Sequence, residues 1–576
     1  MNNLAISRYV SDQAVKQIHG LHPVLQAVYQ HRGVSSADEI DNQLSRMHSY
    51  ESLLGMPVAT AAIVAAIQAQ QSILIVGDFD ADGATSTALA VRLLRQFGAK
   101  HVDYLVPNRF DFGYGLTPEL VEYAATLKPD LIITVDNGIS SIEGVRLANE
   151  RGIKVVVTDH HLAADQLPDA AAIVNPNQPG CPFPSKSIAG VGVIFYVMMA
   201  VRAALRQTNW FADGRSEPNL ANVLDLVALG TVADVVALDR NNRILVDQGL
   251  KRIRAGKCAP GISAILTVAG RNQLNCVASD LGFAVGPRLN AAGRLDDMSL
   301  GIECLISDDL DVCQQIAEQL HSLNTERRSI ESGMLDQAME ALDGLTKTID
   351  SKALPSAIVL FNESWHQGVI GILASRIKEQ FYRPVIAFAL SDNDEIKGSA
   401  RSLKGLNIRD ALDQVDKTYP GIIKKFGGHA MAAGLTIHKD MFEQFNAAFT
   451  EVVAGCLSES DLTQSLNTDG ELTVDDFTMT LAEQLRYAGP WGQQFPEPLF
   501  DNFFEVMEWR VVGEKHLKLK LQPTDAALMI DAIAFNTTAE QLGQNSDKIR
   551  AVYKLDVNEF RNNKTLQLMI EYLEPA

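Results

Sequence analysis

The stretch "SILIVGDFDADGATSTALA", residues 72–90, joins a short apolar run to three closely spaced carboxylates, those of Asp78, Asp80 and Asp82. The run before them is rich in β-branched residues and is closed by Gly77, which is typical of a buried parallel strand. The residues after them run through Gly83 into Thr85 and Ser86 at a helix entry and continue with apolar side chains at helical spacing. The stretch therefore predicts a strand, a carboxylate-bearing loop and a helix.

The same succession of strand and polar loop occurs twice more along the chain. The segment "DLIITVDNG" contains Asp136, and "GIKVVVTDHH" ends in Asp159, His160 and His161. Helical patterns separate these segments, and such alternation predicts a parallel sheet with helices on both faces. Because ligands bind beyond the carboxyl ends of the strands in such sheets, we expect these polar side chains to meet at one edge.

Clustered carboxylates at one sheet edge predict a metal site, because cations neutralise charges that otherwise repel one another. Oxygen ligands with one or two imidazoles suit Mn²⁺ or Mg²⁺, and more than four carboxylates indicate two ions that share a bridging Asp. A further ligand is expected from "LDLVALGTVADVVAL", where Asp225 and Asp234 interrupt an apolar segment. We favour Asp234, which follows the "GTVA" break, and leave Asp225 open as a surface residue of a helix.

Two other interpretations of "DFDADG" compete with a metal centre. An EF-hand calcium loop begins in the same way, but its twelfth position, counted from Asp78, is Leu89 rather than Glu, and the preceding segment is a strand. The second alternative, in which the Asp residues only cap a helix, stays open.

Composition favours an ordinary globular protein of three or four domains. The 576 residues are 47% hydrophobic and 21% charged, and the net charge of −20 argues against a protein that coats nucleic acid with its whole surface. Six cysteines occur singly, without a C-x-x-C pair, which fits a reducing cytoplasm. The N-terminus lacks a signal-peptide pattern, and the longest apolar run, 188–201, is too short for a membrane span, so we predict a buried helix.

The motifs resemble those of a known family. In this order, "DFDADG", "VDNG", "TDHH" and "GTVAD" are similar to the four signature motifs of the DHH phosphoesterase superfamily. Further along, "GPRLNAAGRLDD", "WHQGVIGILASRI", "GSARS" and "FGGHAMAAG" resemble the bacterial branch of single-strand-specific exonucleases and its DHH-associated domain. The resemblance extends from about residue 20 to the C-terminus.

This resemblance implies a centre of two Mn²⁺ or Mg²⁺ ions and roles for its residues. Asp136 would bridge the ions, and Asp78 would bind directly or through water. Asp159 would orient the His pair and His161 would face the scissile phosphate, which makes these two the catalytic candidates. The implied metal ligands are Asp78, Asp80, Asp82, Asp136, His160 and Asp234.

The resemblance also implies residues that bind the substrate. By default Arg109, Arg288 and Arg401 are ordinary surface residues. The glycines of "FGGHAMAAG" serve either tight packing or the close approach of phosphate to the backbone. The family pattern makes them candidates for nucleic acid, with Ser399 and Arg401 forming a pocket for a 5′-phosphate that a guanidinium can bind bidentately. The substrate-binding candidates are Arg109, Arg288, His366, Ser399, Arg401, Gly428 and His429.

The rest of the chain predicts two further domains. After Asp297 a proline-free segment with helical spacing indicates one long helix, or two stacked helices of one domain. Strand and helix alternation then resumes, and from about residue 460 the pattern is that of strands only. In "HLKLKLQ" and "TLQLMIEYL" apolar and polar residues alternate, and about five such strands suit a small OB-like barrel. Barrels of this kind often bind single strands, although alternation alone indicates the fold and not the ligand.

We therefore predict an α/β fold in which a parallel-sheet DHH domain is joined by a long helix to a smaller α/β DHH-associated domain, followed by a C-terminal OB-like β-barrel. The expected boundaries are a helical segment packed on the core at 1–49, the DHH catalytic domain at 50–300, the connecting helix at 301–345, the DHH-associated domain at 346–457 and the OB-like nucleic-acid-binding domain at 458–576.

The activity implied by the resemblance is that of a single-stranded-DNA-specific 5′→3′ exonuclease that releases 5′-mononucleotides by two-metal hydrolysis in DNA recombination and repair. Partners implied in the same way are single-stranded DNA, single-strand-binding protein and a RecQ-type helicase, for a cytoplasmic monomer without membrane contact. Two alternatives remain. One is another DHH enzyme, such as a pyrophosphatase or a phosphodiesterase for short oligonucleotides or cyclic dinucleotides. The other is a non-catalytic DNA-binding scaffold.

Overall fold

The computed structural model describes residues 4–9, 18–108, 115–212, 214–348, 355–513, 516–524, 526–537, 542, 547–560 and 563–576. The described residues group into two compact units. The first combines Arg8–His321 with Thr468–Ala576, and the second combines Met1–Ser7 with Ser322–Asn467.

The N-terminal segment contains one short strand and one helix, β1 (Ala5–Arg8) and α1 (Pro23–His31). Pro23 opens α1, where a missing N–H costs nothing, and the helix buries Leu25, Val28 and Tyr29. Beyond α1 the chain forms three short 3₁₀ turns, at Ala37–Ile40, Leu44–Arg46 and Tyr50–Ser52. The boundary predicted at residue 49 stays a prediction.

A five-stranded parallel sheet forms the core of the first unit. Its strands are β2 (Ile73–Val76), β3 (Val102–Leu105), β4 (Leu131–Val135), β5 (Lys154–Thr158) and β6 (Ala172–Val174). They lie in the order β3-β2-β4-β5-β6, so the three strands that carry the carboxylate motifs are direct neighbours. Every residue of β2 and β4 is buried, which agrees with their unbroken apolar sequences.

Helices cover this sheet and extend the unit. They are α2 (Met56–Gln68), α3 (Ala81–Gln96), α4 (Pro118–Thr126), α5 (Ile142–Glu150), α6 (Gly190–Gln207), α7 (Leu224–Ala233), α8 (Arg240–Arg254), α9 (Pro260–Val268), α10 (Ala278–Asp280), α11 (Gly286–Leu295) and α12 (Ser299–Ile306). A π-helical turn, Leu281–Val285, joins α10 to α11.

Among the described residues, α6 is long and apolar enough to cross a membrane. A second such segment is found if residues 44–52 and α2 are counted as one bent span. About two thirds of α6, 67%, is buried within the protein. Core helices pass the same test, and the burial of α6 agrees with the buried helix predicted from its sequence.

A single helix of 39 residues, α13 (Leu310–Thr348), follows α12. Its length confirms the prediction of one long helix rather than two stacked ones, but the helix begins at Leu310 and not at residue 301, because residues 301–306 belong to α12. Cys313, Ala317 and Leu320 are buried along one face of its first turns, at the spacing that helical periodicity requires.

The second unit has a smaller mixed sheet. Its elements are β7 (Ile358–Asn362), α14 (Ile370–Phe381), β8 (Val385–Leu390), β9 (Glu395–Arg401), α15 (Ile408–Thr418), β10 (Ile423–Gly428), β11 (Ala432–His438) and α16 (Phe442–Cys456). The strand order is β10-β11-β9-β8-β7, with β7 and β8 parallel and the other pairs antiparallel. Phe388, Phe445 and Phe449 are buried in its core, between the sheet and α16.

The C-terminal region of the first unit is a closed barrel. α17 (Met479–Tyr487) precedes the barrel, and the short strand β12 (Ser465–Thr468), which pairs with β1, belongs mainly to the second unit. The strands of the barrel are β13 (Phe500–Val512), β14 (His516–Pro523), β15 (Ile530–Phe535), β16 (Lys548–Phe560) and β17 (Asn563–Pro575). Their order is β13-β14-β15-β17-β16, and Leu517, Leu519 and Leu521 point inwards. The predicted fold class is confirmed.

A buried carboxylate ties Arg8 to the barrel. Asp501 is fully buried and accepts hydrogen bonds from Arg8 Nη2 at 2.7 Å, Arg550 Nη2 at 2.7 Å and Thr468 Oγ1 at 2.5 Å. Burial alone would raise the pKa of Asp501, but these hydrogen bonds outweigh it and lower the pKa to about 2. Asp501 is therefore a structural anion, not a part of the metal centre.

Candidate metal centre

The metal candidates lie at the carboxyl edge of the parallel sheet. Asp78 follows β2, Asp136 follows β4, and His160 follows β5, and these three strands are adjacent. Asp78 and Asp136 are almost fully buried, with exposed fractions of 4% and 2%. The convergence expected from three separate sequence motifs is thus produced by strand order.

Asp80 and Asp82 sit at the start of α3 and have different local partners. Asp80 is the N-cap of α3, and its Oδ1 accepts hydrogen bonds from the amides of Asp82 at 2.9 Å and Gly83 at 3.0 Å. Asp82 points to the N-terminus of α6, where the amides of Gly190 and Val191 donate to its carboxylate at 2.7 and 2.9 Å. The capping role therefore applies to Asp80, while Asp82 is held at a second helix N-terminus, where negative charge is favoured.

Three sets of side chains have ligand atoms within 4.8 Å of one another, close enough to hold a cation. Asp136 belongs to two of them, which suits a carboxylate shared between two ions. The sets are Asp78 with Asp80 and Asp136, Asp82 with His160 and Asp234, and Asp136 with His160 and His161. All six metal ligands expected from the sequence fall within these sets.

His160 and Asp234 complete the cluster from different elements. His160 Nε2 lies 3.1 Å from Asp136 Oδ1 and 3.5 Å from Asp234 Oδ2. Asp234 caps the C-terminus of α7, and its Oδ2 is buried without a hydrogen bond from any described residue. A buried oxygen that can only accept, beside an imidazole nitrogen, is the environment that a hard cation fits.

Mutual repulsion and burial raise the pKa values of the cluster. Burial, followed by the charge of Asp80, raises the pKa of Asp82 to about 7. Burial and the charge of Asp82 raise the pKa values of both Asp136 and Asp234 well above the ordinary Asp value. Asp136 also has a positive φ of 63°, which is uncommon for a residue other than glycine. Cation binding would relieve this electrostatic cost, so the residues present fit a metal centre.

Asp159 and His161 form a hydrogen-bonded pair beside the cluster. Asp159 Oδ1 lies 2.7 Å from His161 Nδ1, and its Oδ2 accepts a hydrogen bond from the amide of Ile139 at 2.9 Å. Although burial opposes both shifts, this pairing lowers the pKa of Asp159 and raises the pKa of His161 to about 9. The geometry is the one expected of a carboxylate that orients an imidazole.

Several residues that hold the metal loops were not predicted from the sequence. Asn290 Oδ1 accepts a hydrogen bond from the Ala81 amide at 2.8 Å, which ties α11 to the "DFDADG" loop. Asn175 Nδ2 donates to the carbonyl oxygen of His161 at 2.9 Å, and Asn177 Nδ2 donates to that of His160 at 2.6 Å. The "GPRLNAAG" motif was a signal for Asn290, but its partner depends on the tertiary fold.

Two glycines allow the carboxylates to approach helices α6 and α7. A Cβ at Gly190 would lie 2.5 Å from Asp136 Oδ1, and one at Gly230 would lie 2.7 Å from Asp82 Oδ1. Real Cβ atoms do not come this close, so only glycine is accommodated at these two positions. Gly230 lies in the "GTVA" motif that was singled out for Asp234, and Gly190 lies in the apolar run 188–201 that was predicted as a buried helix.

Asp225, the alternative to Asp234, has a separate structural role. It lies in α7, is fully buried and accepts a hydrogen bond from the Ala259 amide at 2.6 Å. Asp225 is therefore not a surface residue, and it does not belong to any of the three candidate metal sets.

Of the two substrate-binding candidates of the first unit, the structure describes Arg288. Arg288 is 8% exposed, donates to the Ala284 carbonyl oxygen at 2.7 Å and lies 3.1 Å from His321 Nδ1. The expectation of an ordinary surface arginine is therefore wrong for Arg288. Arg109 lies outside the described residues.

The other candidates belong to the second unit, around β9. Arg401 Nη1 donates to Ser399 Oγ at 3.0 Å, so the two residues of the expected phosphate pocket are in contact. The first turn of α14 lies against them, because a Cβ at Gly371 would be 2.7 Å from Arg401 Nη2 and 2.9 Å from Ser399 Oγ. His366 lies in the turn before α14, and its Nδ1 accepts a hydrogen bond from the Gly368 amide at 3.1 Å.

The glycine motif forms the turn between β10 and β11 beside these residues. Gly428 has a φ of +148°, and a Cβ there would lie 2.4 Å from Ala433 Cα, so close packing requires this glycine. The amide of His429 donates to the Ala432 carbonyl oxygen at 2.8 Å, and Ala432 pairs with Arg401 across the sheet. The motif therefore borders the Ser399–Arg401 pair, as the interpretation in terms of nucleic acid requires.

Comparison with known proteins gives consistent relatives over the whole chain. The model of the DHH family N-terminal domain matches residues 72–231, that of the DHHA1 domain matches 354–455, and that of the RecJ OB domain matches 468–572. The single-stranded-DNA-specific exonuclease RecJ of Dickeya dadantii (strain 3937) is 53% identical, with 96% of each chain covered, and that of Escherichia coli (strain K12) is 51% identical with the same coverage. The crystal structure of RecJ from Thermus thermophilus in complex with Mn²⁺ matches with a TM-score of 0.81 and 27% identity, covering 100% of this chain and 80% of the other.

Proposed function

Because the chain belongs to the RecJ family of single-stranded-DNA-specific exonucleases, we propose that it degrades single-stranded DNA from the 5′ end and releases 5′-mononucleotides. The protein is a metal-dependent nuclease, and its cofactor is Mn²⁺ or Mg²⁺. The observation that carries the proposal is the convergence of five carboxylates and two imidazoles at one sheet edge. A role in DNA recombination and repair follows from the family.

The proposed ligands of two cations are Asp78, Asp80, Asp82, Asp136, His160 and Asp234, with Asp136 between the two sites. When bound, such ions supply a nucleophile at neutral pH and stabilise the charge that develops on a phosphodiester. The carboxylates supply the negative charge that attracts cations, and the amides of Gly190 and Val191 fix the orientation of Asp82. Asn177 Nδ2 holds the backbone of His160 through its hydrogen bond to the His160 carbonyl oxygen.

His161 and Asp159 are proposed to act on the substrate as a pair. Asp159 binds the Nδ1 side of the imidazole, which fixes the orientation of the ring, and the Nε2 side is proposed to contact the phosphate. The raised pKa of His161 favours the protonated ring, in which Nε2 carries a proton that can be donated to a phosphate oxygen. Removal of Asp159 would leave the His161 ring without its fixed orientation and would lower the pKa that keeps the ring protonated.

In the second unit, Ser399 and Arg401 are proposed to bind the terminal 5′-phosphate. A hydroxyl and a guanidinium that already contact each other form a compact donor set for an anion. The bordering turn at Gly428 and His429, together with His366, is proposed to contact the DNA. Arg109 and Arg288 stay candidates from the sequence, and the buried hydrogen bonds of Arg288 support an indirect role for it.

Two other functions fit the chain less well. A DHH phosphodiesterase for short oligonucleotides or cyclic dinucleotides has no evident need for the barrel at residues 468–572. A non-catalytic scaffold has no reason to retain a cluster of mutually repelling carboxylates. For the cell, we propose a cytoplasmic monomer that is supplied with single strands by a RecQ-type helicase and single-strand-binding protein.

The test uses a single-stranded DNA labelled at one end or the other, incubated with Mn²⁺ or with EDTA. We expect labelled mononucleotide to appear at once from the 5′ label, only with metal, and only late from the 3′ label. Hydrolysis of dinucleotides with no attack on the long strand would move the protein to another DHH activity. Binding without any cleavage would identify a scaffold.

The phosphate pocket has a separate test. Arg401→Ala should lower kcat/KM about tenfold on 5′-phosphorylated DNA and much less on DNA with a 5′-hydroxyl end, because only the former loses a charged hydrogen bond. Arg409→Ala, which removes an exposed arginine of the same unit, is the matched control. Equal losses on both DNA ends would contradict the pocket.

A further inference from the structure

Val235 has a backbone conformation that its residue type disfavours. It follows directly after Asp234 at the C-terminus of α7, and its φ is +60°. For a β-branched residue a positive φ is a genuine outlier, because the branched side chain crowds the adjacent peptide groups. Helices that end in this conformation usually place glycine there.

Packing does not compensate for this strain. The Val235 side chain is 65% exposed, so little of its apolar surface is buried in the protein. The turn itself needs only the backbone, whose N–H donates to the Val232 carbonyl oxygen at 3.3 Å, and glycine would make the same hydrogen bond. The fold thus bears a strained valine whose side chain faces solvent, and such strain is concentrated at functional sites.

The position of Val235 indicates what its side chain meets. Its neighbour Asp234 lies 3.5 Å from His160 Nε2 in the metal cluster. Leu162, which directly follows His161 in the chain, is 62% exposed. Two exposed apolar side chains therefore stand one residue away from groups of the metal centre, on the loops after α7 and β5.

We propose that the Val235 side chain is an apolar contact for the sugar and base of the nucleotide whose phosphodiester is cleaved, with Leu162 on the same rim. This inference rests on the proposed function, because it places a nucleotide at the cluster. The phosphate of a nucleotide is recognised by cations and donors, but the carbon face of deoxyribose and the faces of the base are apolar. A strained valine beside the last acidic ligand supplies a rigid surface for them, which a glycine cannot.

The test is Val235→Gly, examined for stability and for substrate selectivity. Relief of the positive φ should raise Tm by about 2 °C. Loss of the contact should lower kcat/KM on single-stranded DNA about tenfold more than kcat/KM on bis(4-nitrophenyl) phosphate, an ester without a nucleoside. The apparent Mn²⁺ affinity should change less than twofold, because no proposed ligand atom is removed.

Two further variants complete the test. Lys128→Gly relieves the same kind of strain, since Lys128 has a φ of +53° just after the C-cap of α4, at the opposite edge of the sheet. It should raise Tm and leave kcat/KM on DNA unchanged. Val235→Ala removes the contact while keeping a Cβ on the strained backbone, and it should show the same selectivity as Val235→Gly.

The outcomes distinguish the inference from the proposed function. It is supported if both Val235 variants are selectively weak on DNA. It is overturned if Val235→Gly keeps wild-type kcat/KM on DNA, or if activity on both substrates falls together with Mn²⁺ affinity, which would assign Val235 to positioning Asp234. A wild-type protein that hydrolyses bis(4-nitrophenyl) phosphate and not single-stranded DNA would instead refute the proposed function.

Discussion

Asp136→Asn should remove charge repulsion from the metal-free centre and, at the same time, the stabilisation that a bound cation provides. Asp136 shares one candidate set with Asp78 and Asp80, and all ligand atoms of that set lie within 4.8 Å of one another. Two unit charges 4.8 Å apart repel by about 3.5 kcal/mol at an effective dielectric constant of about 20, so two fully charged neighbours at this distance would repel the charge of Asp136 by about 7 kcal/mol. The amide of Asn has nearly the same shape and no charge.

Proton uptake by the cluster relieves much of this repulsion in the metal-free protein. We therefore expect Asp136→Asn to stabilise the metal-free form by about 1–3 kcal/mol, well below the Coulomb limit. In contrast, a cation at 100 times its Kd stabilises the wild-type protein by about 2.7 kcal/mol, and the variant should lose most of this gain. Exonuclease activity should fall below detection.

The assay is thermal unfolding of both proteins in EDTA and in Mn²⁺, followed by digestion of labelled single-stranded DNA. Asp225→Asn is the matched control, because it also removes a buried carboxylate, one that lies outside the candidate sets. It should leave the increase of Tm with Mn²⁺ unchanged. The reasoning is refuted if Asp136→Asn is less stable than wild type in EDTA, or if it retains the full increase with Mn²⁺.

Two other predictions concern the second unit and the barrel. Gly371→Ala should displace Arg401, because Arg401 Nη2 would lie 2.7 Å from the new methyl group. The preference for 5′-phosphorylated DNA in the digestion assay should therefore weaken about tenfold. Gly333→Ala is the control, since no atom lies within 4 Å of the added methyl group, and it should leave this preference unchanged. Because the pKa of Asp501 falls from 3.8 to about 2 on folding, its ionisation stabilises the protein above pH 4 and this gain is lost as pH falls towards 2. Asp501→Asn should therefore cost about 2 kcal/mol in denaturant unfolding at pH 7, with the difference shrinking only below pH 4, and an equal cost at pH 3 would contradict the ionic role of its contact with Arg8.

The sequence determined the local elements of the site because they depend on neighbouring residues. Strands β2, β4 and β5 are short, largely apolar runs, and each run is followed at once by its polar loop. Hydrophobic period, strand length and the position of a carboxylate are properties of a few consecutive residues. The same holds for the alternating strands of the barrel and for the single long helix α13.

The tertiary structure decided which of these residues meet and what holds them. Asp234 and Asp225 are nine residues apart in one apolar segment, yet the turn of α7 brings the first to His160 and the second to Ala259. The approach of Gly190 to Asp136 likewise joins segments far apart in the chain. Such contacts depend on strand order, helix packing and the space left by a missing Cβ, none of which is encoded by any one stretch of sequence.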